Sequence, residues 1–141
     1  MLQRLLYYFL KPRDEVAVSR VGGTVEIQKT PFGWYAKVGG QSAGILKMLT
    51  QEGEVFVIGD MEVYSEFRRR GVGSQLLAAL LEEAKEKEVR QITGKVTEHD
   101  DSQPFLKAWY ESHGFQISPL KEDSERAHFI YEVVWTNPNI V

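Results

Sequence analysis

The sequence predicts a mixed α/β (α+β) domain built on one central, mostly antiparallel sheet. Three observations carry this reading. Short runs of alternating apolar residues recur up to residue 63, punctuated by Gly-Gly and Pro/Gly turns. Two stretches in the second half have helical periodicity, and each is followed by a strand-like run. The 141 residues, 43% of them hydrophobic, suffice for one domain with a buried core.

Val16 to Val21 and Thr24 to Thr30 read as strands across Gly22-Gly23, a dipeptide that favours hairpins. Pro31 and Gly33 break the pattern, Trp34 to Val38 resumes it, and Gly39-Gly40 marks a second hairpin leading into Ala43 to Thr50. After Glu52-Gly53, the run "EVFVIGDMEV" from Glu54 to Val63 is apolar enough for a sheet centre. Gly59 inside it signals a bulge or a close backbone approach. Leu76, Leu77, Leu80, Leu81 and Ala84 then trace one helix face, with Glu82, Glu83, Lys85, Glu86 and Lys87 covering the other. Ile92 to Thr97 reads as a strand, followed by the polar "EHDDSQP". Pro104 suits the first turn of a second helix reaching Ser112, capped by Asp101 or Ser102 and ended by Gly114. Phe115 to Ser118 and His128 to Trp135 close the sheet as a C-terminal hairpin across "KEDSER". Without repeats or linker-like composition, residues 1–141 read as a single domain.

A formal net charge of −3 gives no general reason to bind nucleic acid or anionic membrane, so any anion site must be built locally. The absence of cysteine excludes disulfides, thiol catalysis and zinc–thiolate sites, and it fits a reducing, cytoplasmic setting. In "MLQRLLYYFL", Leu2, Leu5, Leu6, Phe9 and Leu10 fall on one helical stripe. It is shorter than the roughly twenty residues a membrane span needs, and "KPRDEV" offers no signal-peptide cleavage site. Residues 1–12 are expected to form an apolar helix or arm on the domain or on a partner chain, interfacial membrane contact being the other reading.

The stretch "EFRRRGVGSQLL", residues 66–77, concentrates positive charge beside glycine at the head of the first helix. The first amides of a helix have no intrahelical partner, and the dipole adds partial positive charge there. Gly71 and Gly73 let a phosphate approach the backbone, while Arg68, Arg69 and Arg70 add mobile counter-charge. The pattern lacks the Gly-Lys-Ser/Thr of a Walker loop, and Leu76 stands where a dinucleotide fingerprint needs its third glycine. Alone, it reads equally as a basic turn.

"VYSEFRRRGVGSQLL" resembles the signature of the GNAT superfamily of acyl-CoA-dependent N-acyltransferases, with Val63 closing the strand and Arg68, Gly71 and Gly73 at the motif positions. "AWYESHGF" is similar to the family's second signature through Tyr110, Gly114 and Phe115, about forty residues on and in the right order. The resemblance runs from about Trp34 to Trp135. It implies an N-acetyltransferase that passes an acetyl group from acetyl-CoA to a primary amine in a ternary complex, without a metal. In that reading, Arg68 to Gly71, Val72, Gly73 and Ser74 hold the pyrophosphate. Met61 and Val63 bind pantetheine through their backbone, as an added strand would, and polarise the thioester carbonyl. Gln103, where many members carry Asn, is a further pantetheine contact. The two helices that usually wall the acceptor side have no counterpart between residues 11 and 33, so these elements are reduced. An open site, the N-terminal segment or a homodimer partner would then complete that side.

An alkyl amine with a reference pKa of ~10.4 costs roughly 4.6 kcal/mol to deprotonate at pH 7, so the reaction calls for a base, whereas a thiolate of pKa ~8.5 leaves easily. The resemblance assigns Tyr110 to protonate that thiolate; the competing reading is a tyrosine merely packed like Trp109. For the base, Glu98 is the first choice, with Asp60, Glu62 and His99 in the same two regions, and the competing reading of each, a solvated charge, is the more ordinary one. The cluster "EHDD" could instead attract a cationic acceptor, a small molecule or a protein terminus. His113 and His128 read as structural or surface residues without metal-ligand spacing. The alternative from another class is a non-catalytic acyl-CoA sensor or partner-binding module of the same fold. Nucleic-acid binding is disfavoured by the charge and by the absence of interleaved aromatics.

Overall fold

Alternating burial and well-placed turns, rather than long apolar runs, organise the first half of the chain. The computed structural model describes residues 24–97, 100, 104–120 and 129–140, together with the backbone of 17–20. The strands are β1 (Ala17–Arg20), β2 (Thr24–Thr30), β3 (Gly33–Val38), β4 (Gln41–Thr50), β5 (Val55–Val63), β6 (Gln91–Thr97), β7 (Phe115–Pro119) and β8 (Phe129–Thr136). The helices are α1 (Val72–Glu86), between β5 and β6, and α2 (Leu106–Ser112), between β6 and β7. Hydrogen-bonded neighbours give the strand order β1-β2-β3-β4-β5-β6-β8-β7. The expected mixed α/β architecture is therefore present. The chain clusters into two compact units, Met1–Met48 with Asp60–Glu83, and Leu49–Gly59 with Ala84–Val141, so that β5 and α1 contribute to both.

In the first unit, β1 to β4 form an antiparallel meander. Gly39 (φ 58°) and Gly40 (φ 79°) make the two-residue turn between the paired Val38 and Gln41, with the left-handed backbone that the twist of a tight hairpin requires. One sheet face buries Val25, Ile27, Trp34, Ala36, Val38 and Leu46. Lys29 lies 3.9 Å above the Trp34 ring and reaches Glu83 of α1 at 3.1 Å, which puts α1 on that face. The other face buries Tyr35 against its register partner Ile45.

In the second unit, Val55–Ile58 of β5 runs parallel to Gln91–Gly94 of β6, and α1 supplies the crossover that a parallel pair needs. β8 pairs antiparallel with both β6 and β7, which is the expected C-terminal hairpin inserted into the sheet. Phe56, Ile58, Ile92, Val96, Phe115, Tyr131, Val133 and Trp135 are buried. α1 ends in a Schellman turn. The Val89 amide donates to Ala84 (2.8 Å) and the Glu88 amide to Lys85 (3.2 Å), while Glu88 takes φ 55°, a conformation that usually calls for glycine. The buried Asn137 then holds this corner. Its Nδ2 donates to the Val89 carbonyl at 2.9 Å, and its own amide donates to Arg90 at 2.9 Å.

The elements differ from the sequence reading in two places. The run from Glu54 to Val63 takes the expected interior place in the sheet, as β5 between β4 and β6, but it buries only Phe56 and Ile58 and is half-exposed or exposed from Gly59 onward. Pro104 lies in the turn before α2 rather than inside it: the first helical bond runs from the Trp109 amide to Phe105, and Phe105 occupies the cap position without a side-chain cap. A ring without an N–H serves the approach to a helix as readily as its first turn. The apolar N-terminal segment, Gly22-Gly23, Asp101, Ser102 and His128 lie outside the described residues.

Glu88→Gly removes the left-handed strain at the end of α1 and is expected to raise unfolding stability by about 0.5–1 kcal/mol, measured by urea denaturation.

Candidate functional site

Where β5 ends, the chain must turn from strand into helix within eight residues, and its backbone solves this in separate steps. The Tyr64 amide donates to the Ala43 carbonyl of β4 at 2.9 Å, which ties the strand end to its neighbour. Ser65–Phe67 forms a single 3-10 turn whose Phe67 is buried. Arg68 is extended again (φ −69°, ψ 152°), and then Arg69 (φ 65°) and Gly71 (φ 80°) adopt left-handed backbone on either side of Arg70. The Gly71 carbonyl accepts the Gln75 amide at 2.9 Å, so Gly71 caps α1, one residue before the helix begins at Val72.

Two glycines position this turn for different reasons. At Gly71 a Cβ would meet nothing within 4 Å, so the residue is needed for its positive φ, and the space beside it is open. At Gly44 a Cβ would stand 2.8 Å from the Glu62 carbonyl oxygen, 3.4 Å from the Val63 Cα and 3.3 Å from Cγ1 of Val72. The end of β5 and the first residue of α1 therefore rest directly on the β4 backbone. The sequence reading missed Gly44, whose only signal was a glycine inside a strand pattern.

The first turn of α1 carries no acidic side chain, so nothing there offsets the positive end of the helix dipole. Arg68, Arg69 and Arg70 are all exposed. Two of them make local contacts. Nε of Arg68 donates to the Val63 carbonyl at 3.1 Å, and the Arg70 guanidinium lies 5.6 Å from the Phe67 ring centre. Helix amides, an uncovered glycine cap and guanidinium groups thus converge on one end of α1, an arrangement suited to an anion with several oxygens.

Asp60, Met61, Glu62 and Val63 are half-exposed along the second half of β5, with Asp60 and Glu62 in alternating register and so on one face. Glu98, His99 and Gln103 lie outside the described residues. Among the described residues no group of three His, Asp or Glu side chains is placed to hold a metal, and no helix is long and apolar enough to cross a membrane.

In the second unit, Tyr110 is the one buried side chain of α2. Its ring meets Trp109 edge-on at 5.0 Å and Phe115 at 5.6 Å. Gly114 (φ 90°) ends the helix, its amide donating to Glu111 at 3.0 Å. His113 packs edge-on against Trp109 at 4.8 Å, and burial pushes its imidazole below the ordinary value of 6.5.

Two measurements follow. Gly44→Ala must push the Glu62 carbonyl aside and is expected to destabilise the protein by about 1–3 kcal/mol in urea unfolding. For His113, the unfolded chain binds the proton more readily than the folded one, so the contribution is complete above pH 6.5 and is lost as pH falls through the lowered folded value. Stability should rise with pH across that window, and His113→Gln should flatten the slope.

A family model described as an acetyltransferase (GNAT) domain matches residues 30–117. No curated protein matches the chain. Among solved structures, the chain is similar to Ard1 from Thermoplasma volcanium, with TM-score 0.59 and 23% identity over 73% of this chain and 68% of that one. It is also similar to the ribosomal-protein-S18-alanine N-acetyltransferase from Escherichia coli, with TM-score 0.61 and 17% identity over 81% of this chain and 77% of that one. A third is a putative streptothricin acetyltransferase from Bacillus anthracis str. Ames, solved with acetyl coenzyme A, with TM-score 0.61 and 19% identity over 79% of this chain and 62% of that one. The structural likenesses support the fold, and the match over residues 30–117 decides the family: the chain belongs to the GNAT acetyltransferases.

Proposed function

We propose that this chain transfers an acetyl group from acetyl-CoA to a primary amine by direct attack within a ternary complex. The observation that carries the reading is the turn from β5 into α1. Its left-handed Gly71 leaves open space at a helix N-terminus that bears no acidic residue, with Arg70 beside it. A pyrophosphate fits such a site, because the amides of Val72, Gly73 and Ser74 lead the helix and the dipole favours the negative charge. Bound acetyl-CoA would supply a thioester already activated toward amines.

The chain's own residues do the rest. Arg68 stiffens the turn through its bond to the Val63 carbonyl, while Arg69 and Arg70 balance phosphate charge. Met61 and Val63 hold the pantetheine arm through main-chain groups and keep the thioester carbonyl oriented. Gln103 is a further pantetheine contact. Tyr110 donates its phenolic proton to the departing thiolate. Glu98 takes the amine proton, directly or through water, with Asp60, Glu62 and His99 as the other candidates for that role. The acceptor is a small molecule or a protein terminus, and a second copy of the chain is one way to wall its site.

Release of CoA thiol from acetyl-CoA, followed across small amines, polyamines, amino acids, aminoglycoside-type antibiotics and N-terminal peptides, tests the proposal. Acetylated product should appear with at least one amine class. Thiol release that ignores the amine would sink it, and tight acetyl-CoA binding without turnover would favour a sensor. Arg70→Glu/Gly73→Asp should weaken acetyl-CoA binding at least about tenfold by calorimetry. Tyr110→Phe should lower kcat by about 100-fold or more while leaving acetyl-CoA binding intact.

A further inference from the structure

Neighbouring residues on a helix point about 100° apart and do not normally face each other, whereas residues four apart share a face. α2 departs from this in one place. Trp109 and His113 form an ordinary i, i+4 pair, edge-on at 4.8 Å, yet the same indole also meets the ring of its immediate neighbour Tyr110 at 5.0 Å and 72°. Phe115 meets the Tyr110 ring as well, at 5.6 Å and 66°.

The row His113–Trp109–Tyr110–Phe115 fixes the order of dependence. The main chain around the indole is held at both ends, by the Trp109 amide on Phe105 (2.8 Å) and by Ser112 Oγ on the Trp109 carbonyl (2.6 Å). His113, its amide donating to the Tyr110 carbonyl at 3.0 Å, packs its imidazole against the same indole at 4.8 Å. The indole is thus in ring contact with both His113 and Tyr110. Phe115 and Gly114 belong to the motif already described, but Trp109 and His113 do not.

We infer that Trp109, backed by His113, is a positioning residue for Tyr110: its ring edge and that of Phe115 restrict the phenol to one orientation. Trp109 need touch neither acetyl-CoA nor amine. It acts on the orientation of the group that delivers the proton, and proton transfer is sensitive to small misplacements of the donor. This rests on the reading of Tyr110 as the proton donor.

The test pairs kinetics with a spectroscopic readout that needs no turnover. Trp109→Leu should lower kcat roughly 3- to 10-fold with the KM for acetyl-CoA unchanged, the size an edge-to-face aromatic contact supports. Trp109→Phe should restore most of the loss. On a Tyr110→Phe background the Trp109→Leu loss should vanish, because no phenol remains to orient. In the intact chain carrying tyrosine labelled at Cζ, the Tyr110 resonance, assigned by Tyr110→Phe, should shift in Trp109→Leu and return in Trp109→Phe. An unmoved resonance, or an equal loss on both backgrounds, overturns the inference. If no amine is acetylated by the wild-type chain, the proposed function fails, while the resonance still decides this inference by moving or staying. Should Trp109→Leu not fold, His113→Gln, which keeps the indole and removes its far wall, is read by the same resonance with the same two outcomes.

Discussion

The contact that most else in the first unit depends on is the passage of β5 over Gly44. A strand neighbour with any side chain would hold the Glu62 carbonyl and the first residue of α1 away from the β4 backbone. Because residue 44 has none, the Tyr64 amide reaches Ala43, Val72 packs down, and the intervening turn is anchored at both ends. Between those anchors the backbone is left-handed at Arg69 and Gly71; the glycine takes that conformation freely, whereas at Arg69 it costs free energy that the anchored turn must offset. The helix N-terminus is thereby exposed in a fixed place, and a preformed anion site loses less to ordering when its ligand arrives.

Much of this was legible in the residues, for physical reasons that can be named. Alternation and paired glycines announced the hairpins, since tight turns between twisted strands demand positive φ and glycine supplies it. The leucine stripe of α1 announced the helix because Leu76, Leu77 and Leu80 have one packed face to fill. The basic Gly-x-Gly turn and the Tyr-x-x-x-Gly-Phe run were visible as a spaced pair, whereas either alone would have been ambiguous. Local rules reached these features because the forces behind them act within a few residues.

Features that depend on distant parts of the chain stayed hidden. Gly44 passed unremarked, because nothing nearby in sequence reports that Glu62 and Val72 will cross above it. Glu88 closes α1 in a left-handed turn that local propensity would have assigned to glycine. Asn137 gave no signal before its amide was seen joining the end of α1 to the last strand. The sequence singles out Arg68 by its motif position but not by its contacts: Arg68 is bound to its own strand end, Arg70 leans on Phe67 and Arg69 takes the strained backbone. Tertiary context distinguishes residues that composition treats alike.

Packing and chemistry at Tyr110 are not competing explanations. As the one buried side chain of α2, Tyr110 anchors that helix, which accounts for a tyrosine there without any reaction. A residue that only filled space would do as well as phenylalanine, and edge contacts with Trp109 and Phe115 would serve either ring. The hydroxyl is what these ring contacts do not account for, since they would form equally with phenylalanine. A proton donor gains from the same burial, since rings packed against two edges cannot swing the phenol away from one direction. The anchoring that makes Tyr110 look structural therefore agrees with the proposed delivery of its proton to one leaving sulfur.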